Sequence, residues 1–168
     1  MKPLYSQIVG YSSLSEVDRE KMRQVIKVNR RIIDHYHQVD LDGRILVAGT
    51  GSGCEARLVH EEFHRFTLGV DLNVQTGRFD LKSNEVACFL SNQDLSALGV
   101  HAEAFSLIYC YHVLEHVKDH HQTLAELSRV LKPGGALFIG FPNRKRWFAY
   151  IGTSQKASAI EKIKWNLN

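Results

Sequence analysis

The most constraining feature of this sequence is the phrase RILVAGTGSGCEA at residues 44–56. A short apolar run leads into three alternating glycines, Gly49, Gly51 and Gly53, and then into a segment with helical spacing. Glycine permits positive φ and lets a ligand approach the backbone, while the following helix presents unpaired N–H groups at its start. The phrase therefore predicts a strand, a ligand-binding turn and a helix in that order.

The rest of the chain repeats this alternation. Strands are predicted at residues 44–48, 66–71, 86–90, 105–111 and 136–141, and helices at 15–37, at 54–65 and from Asp119 through Leu131, where Lys132-Pro133-Gly134-Gly135 stops the last helix. Strands alternating with helices imply a parallel sheet, and continuous apolar runs fit strands covered on both faces. The predicted fold class is α/β, a doubly wound and mostly parallel sheet flanked by helices.

Composition restricts the class of protein further. The chain has 168 residues, 44% hydrophobic and 23% charged, which is ordinary for one soluble domain. It contains neither a membrane-length apolar run nor the apolar stretch of a signal peptide, so we expect a cytoplasmic protein without a membrane partner. Its three cysteines form no C-x-x-C pair, and a net charge of +3 is too small to argue for nucleic-acid binding.

Two acidic residues follow predicted strands, and ligands of parallel sheets lie beyond the carboxyl ends of strands. Asp71 stands 20 residues after Gly51, where a carboxylate can accept hydrogen bonds from both hydroxyls of a ribose. Asp94 can accept from an adenine amino group, with Leu95 covering the ring. The alternative is that either aspartate only caps a helix. Together with the glycine turn, the pair favours a cofactor that contains adenosine.

The glycine turn leaves two kinds of cofactor open. Residues 51–56 match the G-x-G-x-x-A form of the dinucleotide fingerprint, which would suit an NAD(P)-dependent oxidoreductase. That fingerprint begins where the strand ends, which is Gly49, and its third glycine would then fall on Cys54. The register favours a compact G-x-G-x-G loop over a pyrophosphate cradle.

Five phrases in order carry a resemblance to a known family: ILVAGTGSG, GVDLN, NQDLSAL, FSLIYCYHVLEHV and LKPGGALFIGFPN. They resemble the successive motifs of class I S-adenosylmethionine-dependent methyltransferases of the type 11 group, over about residues 44–143. The resemblance implies a Rossmann-like core, S-adenosylmethionine as cofactor and an unidentified methyl acceptor. A non-catalytic cofactor-binding module is a further alternative.

The resemblance also implies roles for particular residues. The glycines line the methionine end of the cofactor, Asp71 holds the ribose, and Asp94 with Leu95 holds the adenine. Tyr111 and His112 lie near the sulfonium, and His112 is the best-placed base for a hydroxyl or amine acceptor. The full predicted cofactor set is Ala48, Gly49, Thr50, Gly51, Gly53, Asp71, Leu72, Asp94, Leu95 and Tyr111, with His112 as the catalytic residue and no metal.

Three departures from the family pattern stand out. Val47 replaces the usual acid two places before the first glycine, and Ser106 replaces the usual aspartate that opens the fourth strand. Family members add two strands after the LKPGG strand, so we expect C-terminal strands to be missing and the sheet edge to be open to self-association. The predicted layout is one domain, with an N-terminal helical cap at 1–43, the core at 44–143 and a basic C-terminal helical segment at 144–168.

Two motifs compete with this interpretation. Residues 60–64 read H-E-x-x-H and residues 112–116 read H-x-x-E-H, both metalloprotease strings. With nine histidines, chance matches are expected, and His60 and His64 are predicted to be solvent-exposed. The basic and aromatic run at 144–148 could bind nucleic acid, but it is short. A small-molecule acceptor is favoured over a nucleic acid.

Overall fold

The computed structural model describes residues 15–36, 43–74, 77–78 and 88–141. The helices are α1 (Glu16–Tyr36), α2 (Cys54–Phe63) and α3 (His120–Val130), with a 3-10 turn at Leu114–His116. The strands are β1 (Ile45–Ala48), β2 (Thr67–Asp71), β3 (Gly77–Arg78), β4 (Cys88–Asn92), β5 (Phe105–Tyr111) and β6 (Leu131–Gly140).

The strands form one sheet in the order β3-β4-β2-β1-β5-β6. All neighbouring pairs are parallel except β3 with β4, which is antiparallel. The chain leaves β1 toward β2 and β4 on one side and later returns to β5 on the other side. This reversal beside β1 creates the crevice in which doubly wound sheets bind ligands. The doubly wound, mostly parallel, Rossmann-like α/β fold is thereby confirmed.

Side chains of the central strands alternate between two apolar cores. Ile45 and Val47 of β1 face the core that α1 and α2 cover, together with Tyr109 of β5. Leu46 and Ala48 face the opposite core, which α3 covers. Because every residue of β1 is buried, the strand is covered on both faces, as its continuous apolar run predicts.

Helix α1 begins with a capping arrangement at Ser15. The Asp18 N–H donates to Ser15 Oγ at 3.1 Å, and Ser15 Oγ donates to Asp18 Oδ2 at 2.7 Å. The helix buries Ile26 and Ile33, whereas Val25 and Ile32, each next to one of them in the sequence, are 38% and 42% exposed. The inner face of the helix is therefore narrow.

Asn29 of α1 joins the helix to the sheet through a polar contact. Its amide donates to the hydroxyl of buried Tyr109 at 2.7 Å. This bond satisfies both polar groups within the core that α1 covers. It fixes α1 against β5, the strand that ends beside the crevice.

The boundary between the last helix and the last strand differs from the prediction. Helix α3 ends at Val130, and Leu131 already pairs with Phe105 as the first residue of β6. The next paired residues are Leu107 and Ala136, so residues 132–135 form a bulge inside the strand. The prediction that the helix runs through Leu131 and that residues 132–135 separate it from the strand is wrong, because the sheet captures Leu131 before the Pro-Gly-Gly segment.

Other boundaries are shifted less. The strand predicted at 86–90 is observed at Cys88–Asn92, and the antiparallel β3 was not predicted because two residues leave no periodicity to detect. Within the described residues β6 pairs only with β5, which agrees with a strand at the end of the sheet. Self-association through that edge stays a prediction, and residues 144–168 lie outside the described residues.

The two departures inside the core are accommodated without strain. Val47 is fully buried among apolar side chains, where an acid would need a partner. Ser106 is buried, and its Oγ donates to the carbonyl of Arg44 at 3.2 Å. None of the helices in the described ranges is long and apolar enough to cross a membrane.

Candidate functional site

A cleft of about 430 Å³ lies at the carboxyl ends of β1, β2, β4 and β5. Its volume is in the range of small-molecule sites, roughly 300–1,000 Å³. The residues that line it come from the glycine turn, from the segments after β2 and β4, and from the segment between β5 and α3: Gly49, Asp71, Leu72, Asn73, Gln93, Asp94, Leu95, Ser96, Val113, His116, Val117, Lys118, Asp119, Gln122 and Thr123. The crevice that the topology predicts is thus an actual cavity.

Asp71 ends β2 and links two loops of the site. Its Oδ2 accepts a hydrogen bond from the Gly51 N–H at 2.8 Å, and its Oδ1 accepts one from the Asn73 N–H at 3.0 Å. The side chain is therefore bound to backbone in this structure, but both amides lie in turns, so these bonds are not a helix cap. Each carboxylate oxygen has a second lone pair, so the same group can still accept from a ligand hydroxyl.

The amide groups of the glycine turn are largely bonded within the protein. Four of them donate internally: Gly49 and Thr50 to the Val70 carbonyl at 2.8 and 3.0 Å, Gly51 to Asp71, and Gly53 to the Thr50 carbonyl at 3.0 Å. The Ala56 N–H at the start of α2 donates to Thr50 Oγ1 at 3.0 Å. A pyrophosphate needs such amides free to donate. This turn is therefore poorly suited to a dinucleotide.

Two glycines of the turn serve different purposes. Gly49 has φ +74°, and a Cβ there would lie 2.3 Å from the Val113 side chain. Gly51 has φ +58°, and a Cβ there would meet nothing within 4 Å. The first glycine lets the turn pack against the segment after β5, whereas the second leaves an open face that a ligand can approach.

Asp94 and Leu95 form another wall of the cleft. Asp94 Oδ1 accepts from the N–H and the Oγ of Ser96 at 2.9 and 2.8 Å, and these bonds lower the pKa of the carboxyl. Leu95 is buried and belongs to the core under α3. The arrangement presents an ionised acceptor next to an apolar surface, which is the combination that a purine ring with an amino group requires.

Helix α3 holds this wall in place. Glu126 Oε1 accepts from the Leu98 N–H at 2.7 Å, while Arg129 donates to the carbonyls of Leu98 and Val100 at 3.1 and 3.0 Å. Arg129 also pairs with Glu126 at 2.7 Å. The loop after β4 is therefore fastened to a helix that packs on the sheet.

The cleft is acidic. Among the residues that the structure describes, the lining contains the carboxylates of Asp71, Asp94 and Asp119 against one ammonium, that of Lys118. Such a balance opposes the two negative charges of a pyrophosphate and favours a ligand that carries positive charge. Together with the internally bonded turn, it disfavours the pyrophosphate cradle that the dinucleotide alternative needs.

The predicted site residues fall into three groups. Gly49, Asp71, Leu72, Asp94 and Leu95 line the cleft. Ala48, Thr50 and Gly53 are buried and are not part of the lining. Gly51, Tyr111 and His112 lie outside its lining, Gly51 on the open face of the turn and the other two at the end of β5.

His112 follows β5 in an unusual conformation. Its φ is +56°, and its N–H donates to the Gly140 carbonyl of β6 at 2.9 Å. Its ring packs edge-on against the Tyr111 ring at 4.3 Å between centroids. Its Nδ1 lies 3.4 Å from Glu115 Oε1. None of these contacts tests whether His112 acts as a base, and that role stays a prediction.

Sequence reasoning missed several residues of the site. Val113, His116 and Val117 line the cleft because the chain after β5 turns back over it. The HVLEHV phrase was the available signal. Glu55, in the first turn of α2 and outside the lining of the cleft, was also not singled out: the residue is partly exposed, yet its carboxyl is enclosed by protein, and burial raises its pKa to about 8.

The histidine and cysteine motifs have structural explanations. His60 is buried, with Nδ1 2.7 Å from the Arg65 carbonyl, so the prediction that it is solvent-exposed is wrong. It lies on the inner side of α2 and binds the segment that follows the helix. His64 is exposed, as predicted, and ends α2 with φ +54°. No group of three or more metal-ligating side chains occurs within the described ranges.

The three cysteines are buried thiols in the described core. Burial raises the pKa of Cys54 to about 11 and the pKa values of Cys88 and Cys110 to about 12. A thiol must ionise to act as a nucleophile. These cysteines therefore contribute to the packing of the core.

Comparison with known proteins identifies the family. The family model described as "Methyltransferase domain" matches residues 46–139. This chain belongs to that family. The resemblance to S-adenosylmethionine-dependent methyltransferases is confirmed, and S-adenosylmethionine, the cofactor predicted from the motifs, is the cofactor of this family. The family assignment also removes the oxidoreductase alternative.

Particular relatives resemble the chain at modest identity. It is 28% identical to a ubiquinone biosynthesis O-methyltransferase of Coxiella burnetii over 120 residues, which cover 69% of this chain and 50% of the relative. The chain thus spans about half the length of the curated relatives it matches first. A SAM-dependent methyltransferase from Methanosarcina mazei aligns with 25% identity and TM-score 0.51 over 64% of this chain and 55% of that one.

A further solved structure shares the fold only. The cyclase SpnF aligns with 21% identity and TM-score 0.52, over 68% of this chain and 43% of that chain. Proteins of one fold can carry out different reactions, so the site and not the fold must identify the chemistry.

Proposed function

We propose that this methyltransferase-family chain transfers a methyl group from S-adenosylmethionine to an oxygen atom of a small-molecule acceptor. The observation that carries the proposal is the acidic cleft beside a glycine turn whose amides are bonded internally. That combination favours a cofactor that is an adenosine without phosphate and with positive charge on sulfur. The acceptor atom is suggested by the Coxiella burnetii relative, which is named an O-methyltransferase.

The cleft offers a partner for each part of such a cofactor. In this proposal Asp71 accepts hydrogen bonds from the ribose hydroxyls and Asp94 accepts one from the adenine amino group. Leu95, Val113 and Val117 supply apolar surface for the ring. The open face at Gly51 leaves room for the methionine portion beside the backbone. Tyr111 lies at the end of β5, where an aromatic face can attract the sulfonium.

S-adenosylmethionine supplies an electrophilic methyl carbon and a neutral thioether leaving group. The protein then has to align donor and acceptor, a contribution on the order of 10⁵–10⁸ M in effective molarity. His112 is proposed to take the hydroxyl proton of the acceptor, since it stands at the carboxyl end of β5 with its side chain 38% exposed.

A binding experiment tests the cofactor. S-adenosylhomocysteine at 100 times its dissociation constant stabilises a protein by about 2.7 kcal/mol, which calorimetry detects as a raised Tm. NAD at the same concentration is the matched comparison. A clear shift with NAD and none with S-adenosylhomocysteine would refute the proposal. Transfer of labelled methyl groups to a panel of small phenols and alcohols then tests the reaction.

A second candidate function is cofactor binding without methyl transfer. It is favoured by Val47, which replaces the usual acid of the motif and is buried in the core. Binding of S-adenosylhomocysteine with no methyl transfer to any acceptor in the panel would support this candidate over the first.

A further inference from the structure

We propose that Glu115 is a positioning residue that keeps the proton of neutral His112 on Nδ1 and stabilises the imidazolium formed when Nε2 accepts the acceptor proton. This inference rests on the proposed function and names a second residue of its site. It begins with a contact: Glu115 Oε1 lies 3.4 Å from His112 Nδ1. A modest rotation of the ring would turn this separation into an N–H to carboxylate hydrogen bond.

The local backbone fixes the two residues relative to each other. Glu115 is in the 3-10 turn Leu114–His116, which the His116 N–H closes by donating to the Val113 carbonyl at 2.9 Å. His112 precedes this turn with φ +56°, and its Nδ1 nevertheless lies 3.4 Å from Glu115 Oε1. Leu114 between them is buried in the core under α3. The contact is therefore built into the fold and does not depend on a flexible surface pair.

His112 is held in a conformation that non-glycine residues seldom adopt. Positive φ is tolerated by histidine better than by most residues, but it persists only where the surroundings impose it. Here the imposing contacts are the hydrogen bond from the His112 N–H to Gly140 and the packing of its ring on Tyr111. Backbone strain of this kind concentrates at functional sites. With Nδ1 near Glu115, Nε2 is the ring nitrogen that this proposal assigns to the acceptor.

The second carboxylate oxygen supplies an independent observation. Glu115 Oε2 is buried and has no hydrogen-bond partner among the residues that the structure describes. A buried carboxylate oxygen without a donor is unfavourable and requires an explanation. A positive charge on the neighbouring imidazole would offset this cost, because charge-assisted hydrogen bonds are stronger than neutral ones.

The reaction creates that positive charge. The acceptor hydroxyl gives its proton to His112 Nε2, its oxygen lone pair forms the bond to the methyl carbon, and the carbon–sulfur bonding pair leaves with sulfur. His112 is then a cation facing Glu115, and it releases the proton to water after the products leave. Glu115 takes no part in the transfer itself, so it acts only through the histidine.

Nitrogen NMR on histidine-labelled protein tests the positioning role without requiring turnover. A His112→Gln variant identifies the His112 signals among the nine histidines. At a pH where the ring is neutral, we expect the wild type to carry its proton on Nδ1. Glu115→Gln retains an acceptor oxygen and is expected to keep this tautomer. Glu115→Ala is expected to shift the proton toward Nε2.

Two controls make the result decisive. Glu103→Gln removes an exposed carboxyl elsewhere and is expected to leave the His112 signals unchanged. Circular dichroism shows whether Glu115→Ala is folded, and if it is not, the comparison is made on Glu115→Gln turnover instead. In that variant we expect kcat to fall at least about tenfold with KM unchanged, because the charge that stabilises the imidazolium is lost.

The outcomes separate this inference from the function on which it rests. An Nε2 proton in the wild type, or an identical tautomer in folded Glu115→Ala, overturns the positioning role even if the chain binds S-adenosylhomocysteine. Full turnover in Glu115→Gln overturns it as well. Failure of the wild type to bind S-adenosylhomocysteine instead overturns the proposed function.

Discussion

Replacing Glu55 with glutamine is expected to change how the stability of the fold depends on pH. Burial raises the pKa of the Glu55 carboxyl from 4.5 to about 8, and the group accepts no hydrogen bond within the described part of the chain. The native state therefore binds a proton that the unfolded state releases. The stability that the wild type has with Glu55 protonated is fully present below the pKa of this carboxyl in the unfolded state. It is lost as the pH rises toward 8.

The size of the effect follows from the two pKa values. Between pH 5 and pH 7 linkage gives a loss of about 2.5 kcal/mol in the free energy of unfolding of the wild type. Glutamine resembles the protonated carboxyl in shape and cannot titrate. The free energy of unfolding of Glu55→Gln is therefore expected to be close to that of the wild type near pH 5. The difference in favour of Glu55→Gln is expected to grow by about 2.5 kcal/mol between pH 5 and pH 7 and to become constant above pH 8.

Urea denaturation at pH 5, 6, 7 and 8.5 measures this difference, provided that unfolding is two-state. Glu103→Gln is the matched control, since it removes an exposed carboxyl by the same substitution. All other titrating groups are common to the three proteins and cancel in the comparison. If the curve for Glu55→Gln runs parallel to that of the wild type, the carboxyl is solvated and the reasoning from its burial fails.

Three further predictions concern the loops and the edge of the sheet. Asp71→Ala is expected to weaken S-adenosylhomocysteine binding about tenfold to a hundredfold, because it removes hydrogen bonds worth roughly 1.5–3 kcal/mol. Calorimetry measures the affinity, with Asp34→Ala as the control, and an unchanged affinity in Asp71→Ala would contradict a ribose contact. Gly49→Ala is expected to lower the free energy of unfolding by about 2–4 kcal/mol, because the position has a positive φ and the new Cβ would collide with Val113. At Gly51 a Cβ meets no neighbour, so Gly51→Ala should cost less. Urea denaturation that finds equal losses would contradict the packing argument. The edge strand β6 is expected to promote self-association, and sedimentation that shows a monomer at every concentration would contradict it.

The fold could be predicted because it depends on repeated local signals. The apolar run of β1, the glycine turn and the capping of α1 by Ser15 each follow from neighbouring residues, and their order in the chain determines the parallel topology. The end of α3 could not be read in this way. Leu131 suits a helix and a strand equally, and its pairing with the distant Phe105 decides the matter.

The location of the candidate site was predictable, but its geometry was predictable only in part. Asp71 and Asp94 were found because strand ends indicate where ligands bind. The sequence did not show that Asp71 would already bind two backbone amides, or that Glu115 would lie beside His112, since both facts depend on three-dimensional contacts. The burial of His60 was misjudged for a related reason: its partner is the Arg65 carbonyl just beyond the helix, and no periodicity reports such a bond.

The two hydrogen bonds that the Asp71 carboxylate accepts have a consequence for the motion of the loops. One carboxylate ties the amide of Gly51, in the loop after β1, to the amide of Asn73, in the loop after β2. If either loop moves away, the carboxylate loses one of the two hydrogen bonds that hold it in place for the other loop. The two loops are therefore expected to open together as a single cooperative unit of low local stability. A ligand that bound this carboxylate would then restrict the motion of both loops at once, so a single side chain would couple the loop after β1 to the loop after β2.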